Sequence, residues 1–218
     1  QTELVGPTSR SQASAKRRPV FLYSGEMIEW GMETKTIFFT GKPGSGKGTQ
    51  AKLLSEKTGW PIFASGNLFR AIAQENTAVG RKVKEENDTG ILQPHWFAMY
   101  LYLKSLFSIP DNTNVIFDGF CRKIPEAELI IGSLKWIGRS FVVLDIQISD
   151  EETQKRLVLR KDEEGRADDN AVSKRLEEYH TYADPATDLF RKNGVLIEIN
   201  GGQSREAIAS DINAALNL

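Results

Sequence analysis

Gly41-Lys42-Pro43-Gly44-Ser45-Gly46-Lys47-Gly48-Thr49 follows an apolar run, Thr36-Ile37-Phe38-Phe39-Thr40, and opens into Gln50-Ala51-Lys52-Leu53-Leu54. The run reads as a buried strand and the sequel as a helix start. Strand, glycine loop and helix in that order form a phosphate-binding loop. The glycines let successive backbone N–H groups turn toward one anion. The helix adds its positive end, and Lys47 supplies a mobile point charge for outer phosphates. One position departs from the general pattern Gly-x-x-x-x-Gly-Lys-Ser/Thr: residue 48 is Gly, and the hydroxyl comes next, at Thr49.

Outward from this loop, short apolar runs alternate with longer helical patterns. Strands are expected at Thr36–Thr40, Pro61–Ala64, Asn114–Asp118, Phe141–Ile146 and Val195–Ile199. Helices are expected at Lys47–Lys57, Asn67–Gln74, Gly80–Asn87, His95–Phe107, Pro125–Trp136, Asp150–Lys161, Asn170–Lys192 (with a break near Asp184-Pro185) and Ser204–Leu216. Unbroken apolar strands alternating with helices imply an α/β fold, a five-stranded parallel sheet covered on both faces. Right-handed crossovers then gather the loops after the strands along one edge, where ligands bind.

The chain has 218 residues, which suits one domain of moderate size. Its 28 basic and 29 acidic residues leave a net charge of -1, so no global field draws it to nucleic acid or anionic membrane. The single cysteine, Cys121, excludes an internal disulfide and a multi-cysteine zinc site. No apolar run reaches the ~20 residues of a membrane-spanning helix. These properties predict a soluble cytoplasmic enzyme with no nucleic-acid or membrane partner. Residues 1–34 are expected to form an extension without regular structure. Gln1 to Pro19 is polar and basic, and Val20 to Trp30 is apolar but short. An organelle transit peptide is the alternative reading, since such segments are basic, serine-bearing and acid-poor.

Three further segments carry chemistry. In Ala64-Ser65-Gly66-Asn67-Leu68-Phe69-Arg70, Ser65 or Asn67 can cap a helix that carries Arg70, which could hold a second anion. Val115-Ile116-Phe117-Asp118-Gly119-Phe120-Cys121-Arg122 puts a carboxylate at a strand's C-terminal end, where a magnesium-organising Asp acts through water. Arg156 and Arg160 are four apart and share a helix face. Gly165-Arg166-Ala167-Asp168-Asp169-Asn170 then breaks that helix and supplies a cap for the next, which carries Arg175. An arginine-bearing flap of this kind suits phosphoryl transfer, where charge spreads over phosphate oxygens and water must be kept out.

In order along the chain, GKPGSGKGTQ, SGNLFRA, DGFCRKIPEAE, and GRADDN followed by KRLEEYH resemble the adenylate kinase family of nucleoside monophosphate kinases. The resemblance runs from about Thr36 to the C-terminus, and Gly48 fits it, because that family reads Gly-Lys-Gly-Thr. It implies reversible, magnesium-dependent transfer of the ATP γ-phosphoryl to a nucleoside monophosphate by a monomer. By motif position, Gly44, Ser45, Gly46, Lys47, Gly48 and Thr49 would cradle the ATP phosphates, with Arg156 stacked on the ATP adenine and Gln203 beside it. Ser65, Gly66, Arg70, Gly119, Arg122 and Glu126 would hold the monophosphate. Arg160, Arg166 and Arg175 would gather around the transferring group, with Arg122, Lys47 and Asp118 completing the catalytic set. Asp168 and Asp169 would position the lid arginines. The resemblance also implies two mobile parts, a monophosphate-binding insertion at about 65–94 and a short lid at about 160–169.

The chain departs from the family at three positions. Cys121 stands where proline is usual, a change expected to act on loop stiffness and to leave a thiol open to modification. Asn67 stands for aspartate. Glu126 stands where AMP-using members carry glutamine, which both accepts from N6 and donates to N1 of adenine. An ionised carboxylate only accepts, so it would still suit the adenine amino group but would face a lone pair at N1, and the N1–H and N2–H edge of guanine would suit it better. AMP is the expected acceptor, with GMP or a broader range as the alternative. A nucleotide-binding regulator with weakened turnover is the reading from another class.

Overall fold

The structure is a computed structural model that describes residues 21–23, 26–28, 36–110, 112–164 and 171–218. Two short strands, β1 (Phe21–Tyr23) and β2 (Glu26–Ile28), pair antiparallel with Tyr23 opposite Glu26. The extension expected to lack regular structure therefore contains a small ribbon, in which Phe21, Tyr23 and Ile28 are strand formers.

The main chain continues through β3 (Thr36–Gly41), α1 (Lys47–Thr58), β4 (Ile62–Ala64), α2 (Ser65–Ala73), α3 (Ala78–Thr89) and α4 (His95–Leu106). It goes on through β5 (Val115–Asp118), α5 (Ile124–Trp136), β6 (Phe141–Gln147) and α6 (Asp150–Glu164). After α7 (Val172–Glu178) comes a single π-helical turn, Tyr179–Ala183, then α8 (Asp184–Lys192), β7 (Leu196–Asn200) and α9 (Arg205–Leu216). The sheet order is β4-β5-β3-β6-β7, and every pairing is parallel.

Strand alternation splits the core in two. On one face Phe38 lies 5.0 Å from Phe117, ring to ring, and Tyr102, Phe120, Ile130 and Phe190 pack around them. On the other face Ile37, Phe39 and Leu144 meet Leu54 of α1 and Ile208 and Ile212 of α9. Each such side chain contributes about 1.5–3 kcal/mol by leaving water. This burial on both faces is why the strands read as unbroken apolar runs.

Local chemistry sets the ends. Thr77 caps α3 by accepting the Gly80 N–H at 2.9 Å, and Ser204 caps α9 by accepting the Ala207 N–H. The break expected near Asp184-Pro185 is real but takes the form of the π-turn. The Asp184 N–H donates to the Tyr179 carbonyl five residues back. The wider turn accommodates Pro185, whose ring would clash with the carbonyl four residues earlier in an α-helix. Helix α6 extends to Glu164, three residues beyond expectation, so its last turn occupies the start of the expected lid.

Candidate active site

The central position of β3 decides where the glycine loop lies. Its register with β5 pairs Phe39 with Asp118, and its register with β6 pairs Thr40 with Asp145. The loop therefore leaves the middle of the sheet's C-terminal edge with a carboxylate on each side. Helix α1 starts directly from it, and no side chain caps its first N–H groups, which suits an anion there. A Cβ on Gly48 would lie 3.4 Å from Asp118 Oδ2, which sets the helix start at contact distance from that carboxylate.

Lys47 folds back along the loop. Its Nζ donates to the Gly41 and Lys42 carbonyls at 2.7 Å each, and lies 3.4 Å from Ser45 Oγ. Burial pulls its pKa down to about 7; Asp118 opposes this, while Arg122 and Arg175 reinforce it. Asp145, buried beside it, is pushed upward by desolvation. Sequence reading missed Asp145, because inside an apolar strand it looked like an ordinary interruption.

The residues expected to hold a second anion come from distant segments. Ser65 Oγ and Arg122 Nε both donate to the Gly119 carbonyl, at 2.8 and 2.6 Å. Gly119 has φ +75, and a Cβ there would lie 2.7 Å from Arg122 Nη2 and 2.9 Å from Ser65 Oγ, so only glycine fits. Ser65 is the first residue of α2 rather than its cap; Ala64 holds the cap position without a side-chain bond. Asn67 also does not cap: its Oδ1 accepts from Arg70 at 2.6 Å and so aims the guanidinium. Gly66 lies under that guanidinium.

Glu126 is 3% exposed, and its Oε2 accepts the Arg122 N–H at 2.7 Å. Burial raises its pKa, partly offset by that bond and by the Arg122 and Lys123 charges. Cys121 is buried with φ +69, a conformation that proline cannot adopt. Its thiol is pushed well above its ordinary range by burial, with Glu126 adding to the shift. The expected openness to modification is thus corrected: a buried, protonated thiol is a poor nucleophile.

Helix α6 points Arg156 at the cleft's far end, where Nε binds Glu152 at 2.6 Å and Nη2 donates to the Gly201 carbonyl at 3.0 Å. Gln203 donates to Asn200 O and to Asp211 nearby. One cleft of about 1220 Å³ is lined by Gly44, Ser45, Gly46, Lys47, Gly48 and Thr49, by Arg70, Asp118, Arg122 and Glu126, and by Arg156, Arg160, Arg175 and Gln203. That volume exceeds the ~300–1,000 Å³ of a site for one small ligand. Arg166, Asp168 and Asp169 lie outside the described residues, and with them the cap expected to precede α7. That helix follows Ala171, which offers no capping side chain.

Two residues that sequence reading passed over hold the cleft's rim. Lys123 Nζ donates to the Leu92 and Gln93 carbonyls at 3.4 and 3.1 Å, and Glu178 accepts the Leu92 N–H at 3.1 Å. They tie the segment between α3 and α4 to α5 and α7. The sequence offered no signal beyond two ordinary charges near motif residues.

The family described as Adenylate kinase matches residues 39–195. The chain belongs to the adenylate kinase family. Its curated relatives include the adenylate kinase of Bacteroides fragilis, 38% identical over 184 residues, covering 83% of this chain and 97% of the relative. That of Phocaeicola vulgatus is 37% identical over 183 residues, with the same coverage. That of Leptospira biflexa is 35% identical over 181 residues, covering 82% of this chain and 97% of the relative. Within the adenylate kinase fold of this chain, no helix among the described residues is long and apolar enough to cross a membrane.

Proposed function

We infer that this chain transfers the γ-phosphoryl of ATP to AMP, reversibly, giving two molecules of ADP. One observation carries the reading: a single cleft holds two separate phosphate-binding sets, the glycine loop with Lys47 and the Arg70–Arg122 pair. A protein that only binds or hydrolyses ATP needs the first set alone.

In this reading the loop N–H groups and Lys47 hold the ATP β- and γ-phosphates. Arg70 and Arg122 hold the monophosphate so that its oxygen faces the γ-phosphorus in line with the leaving ADP. Arg160, Arg166 and Arg175 offset the charge spread over the transferring group. Arg156 packs on the ATP adenine, with Gln203 at the same end. No base or covalent nucleophile takes part. Among the described residues no group of three or more His, Cys, Asp or Glu could hold a metal ion. Asp118, the carboxylate on the β5 side of the loop, would hold magnesium through water, and bound magnesium would neutralise phosphate charge. The insertion at about 65–94 and the lid at about 160–169 close over the nucleotides and exclude water. The chain acts as a cytoplasmic monomer.

GMP, or a broader acceptor range, is the second reading, and Glu126 favours it. A carboxylate fixed through Arg122 presents acceptors only, which match guanine's N1–H and N2–H. The test is ADP formation from ATP with AMP, GMP, CMP, UMP and dAMP under matched conditions. AMP is expected to rank first. GMP ranking above it would overturn the AMP assignment, and ATP consumption with no acceptor phosphorylated would overturn the kinase reading.

A further inference from the structure

A chain of four side chains runs behind the glycine loop, outside the cleft. Lys42 belongs to the loop but does not line the cleft, and its Nζ pairs with Asp150 Oδ1 at 2.5 Å. Asp150 opens α6, the helix that carries Arg156 and Arg160. Its Oδ2 lies 3.0 Å from His180 Nε2, and His180 Nδ1 lies 2.8 Å from Asp184 Oδ2. His180 stands in the π-turn at the end of α7, the helix that carries Arg175 and Glu178. Asp150 thus joins the three segments that bring cations to the phosphates.

Each contact is partly exposed, and singly such ion pairs stabilise little. Their reach matters more than their strength. The Lys42 carbonyl is itself an acceptor of the Lys47 ammonium, so tension at the Lys42 side chain is felt by Lys47 within the same residue. We propose that Asp150 and His180 are positioning residues for phosphoryl transfer, holding the glycine loop, α6 and α7 in one arrangement through the Lys42–Asp150–His180–Asp184 chain. This rests on the phosphotransfer reading above.

The chain also has a chemical switch. Both imidazole nitrogens face carboxylates, and only the imidazolium can donate to both. The hydrogen bonds to Asp184 and then Asp150 raise the His180 pKa. Asp150 is held low, mainly by Lys42. The charged groups around His180 are Asp150 from α6, Asp184 from α8 and, through Asp150, Lys42 from the loop; the Tyr179 ring meets it edge-on. Because the folded-state pKa is raised above 6.5, the link is present below that pH while Asp150 and Asp184 stay ionised. It is lost as pH rises through the folded value.

The test uses the full chain and the variants Asp150→Asn, Lys42→Met and His180→Gln. At pH 7, Asp150→Asn is expected to lower kcat by about tenfold with KM for the monophosphate within twofold, as a displaced loop would. Lys42→Met reproduces this loss, and the double variant loses no more than either single one. The wild-type kcat falls as pH rises through the His180 midpoint, and His180→Gln lacks that fall. Proton NMR of the two histidines, His95 and His180, gives a readout independent of turnover. The His180 titration midpoint should drop toward 6.5 in Asp150→Asn. Additive losses for Lys42→Met and Asp150→Asn, or the same fall in His180→Gln, would overturn the proposal. If the wild type forms no ADP from ATP and AMP, the phosphotransfer reading fails instead, and an unmoved His180 midpoint would separately overturn the link.

Discussion

The two halves of the cleft are built on different principles. The loop side is one contiguous segment, Gly41–Thr49, whose main chain and Lys47 form the proposed ATP-phosphate site. The proposed monophosphate side is gathered from Ser65, Arg70, Gly119, Arg122 and Glu126, which meet because β4 and β5 are neighbours in the sheet. A local site tolerates little variation, since its geometry is its sequence. An assembled site can change residues one at a time, and the substitutions against the family pattern at 67, 121 and 126 fall on that side.

Substitutions on each side sharpen this contrast. Lys47→Ala should have the largest effect, lowering kcat by about 10²–10³-fold by removing a preorganised charge from the transferring phosphates; loss below tenfold in a steady-state assay would break the assignment of the loop as the reacting side. Cys121→Pro comes next. Forcing φ to about −65° where it is +69° should destabilise the fold by about 2 kcal/mol or shift the loop, read by chemical denaturation. Glu126→Gln should raise the AMP:GMP rate ratio by about tenfold, since the amide regains a donor for adenine N1. The smallest effect concerns pH. Lys47 in the free protein titrates at about 7 and gains an anionic partner when nucleotide binds, so the complex carries more protons than its parts. ATP affinity should then fall about fivefold between pH 7 and 8, with proton uptake seen by calorimetry in buffers of different ionisation enthalpy.

Much of this was legible in the chain. The five strands announce themselves because both faces are buried, and the loop does so because a phosphate cradle is made of consecutive residues. What escaped depends on contacts far apart in sequence. Ser65 reads as a helix cap, yet its hydroxyl is taken by Gly119, 54 residues away. Lys123 and Glu178 are unremarkable charges until folding sets both on the Leu92 main chain. Asp184-Pro185 signalled an interruption, but a proline says only that a hydrogen bond is missing, and the surrounding packing decided how the helix absorbs it. Cys121 could be seen as a replacement for proline, whereas its positive φ could not.

The π-turn at Tyr179–Ala183 also has a consequence for chain length. A wide turn holds one residue more than an α-helical turn, and each α-helical residue turns the chain by about 100°. Because the surplus residue is taken up within Tyr179–Ala183, Arg175 and Glu178 keep the aim at the cleft that an uninterrupted helix one residue shorter would give them. An extra residue elsewhere in this helix would turn both side chains away together; here the count of the chain changes and its aim does not.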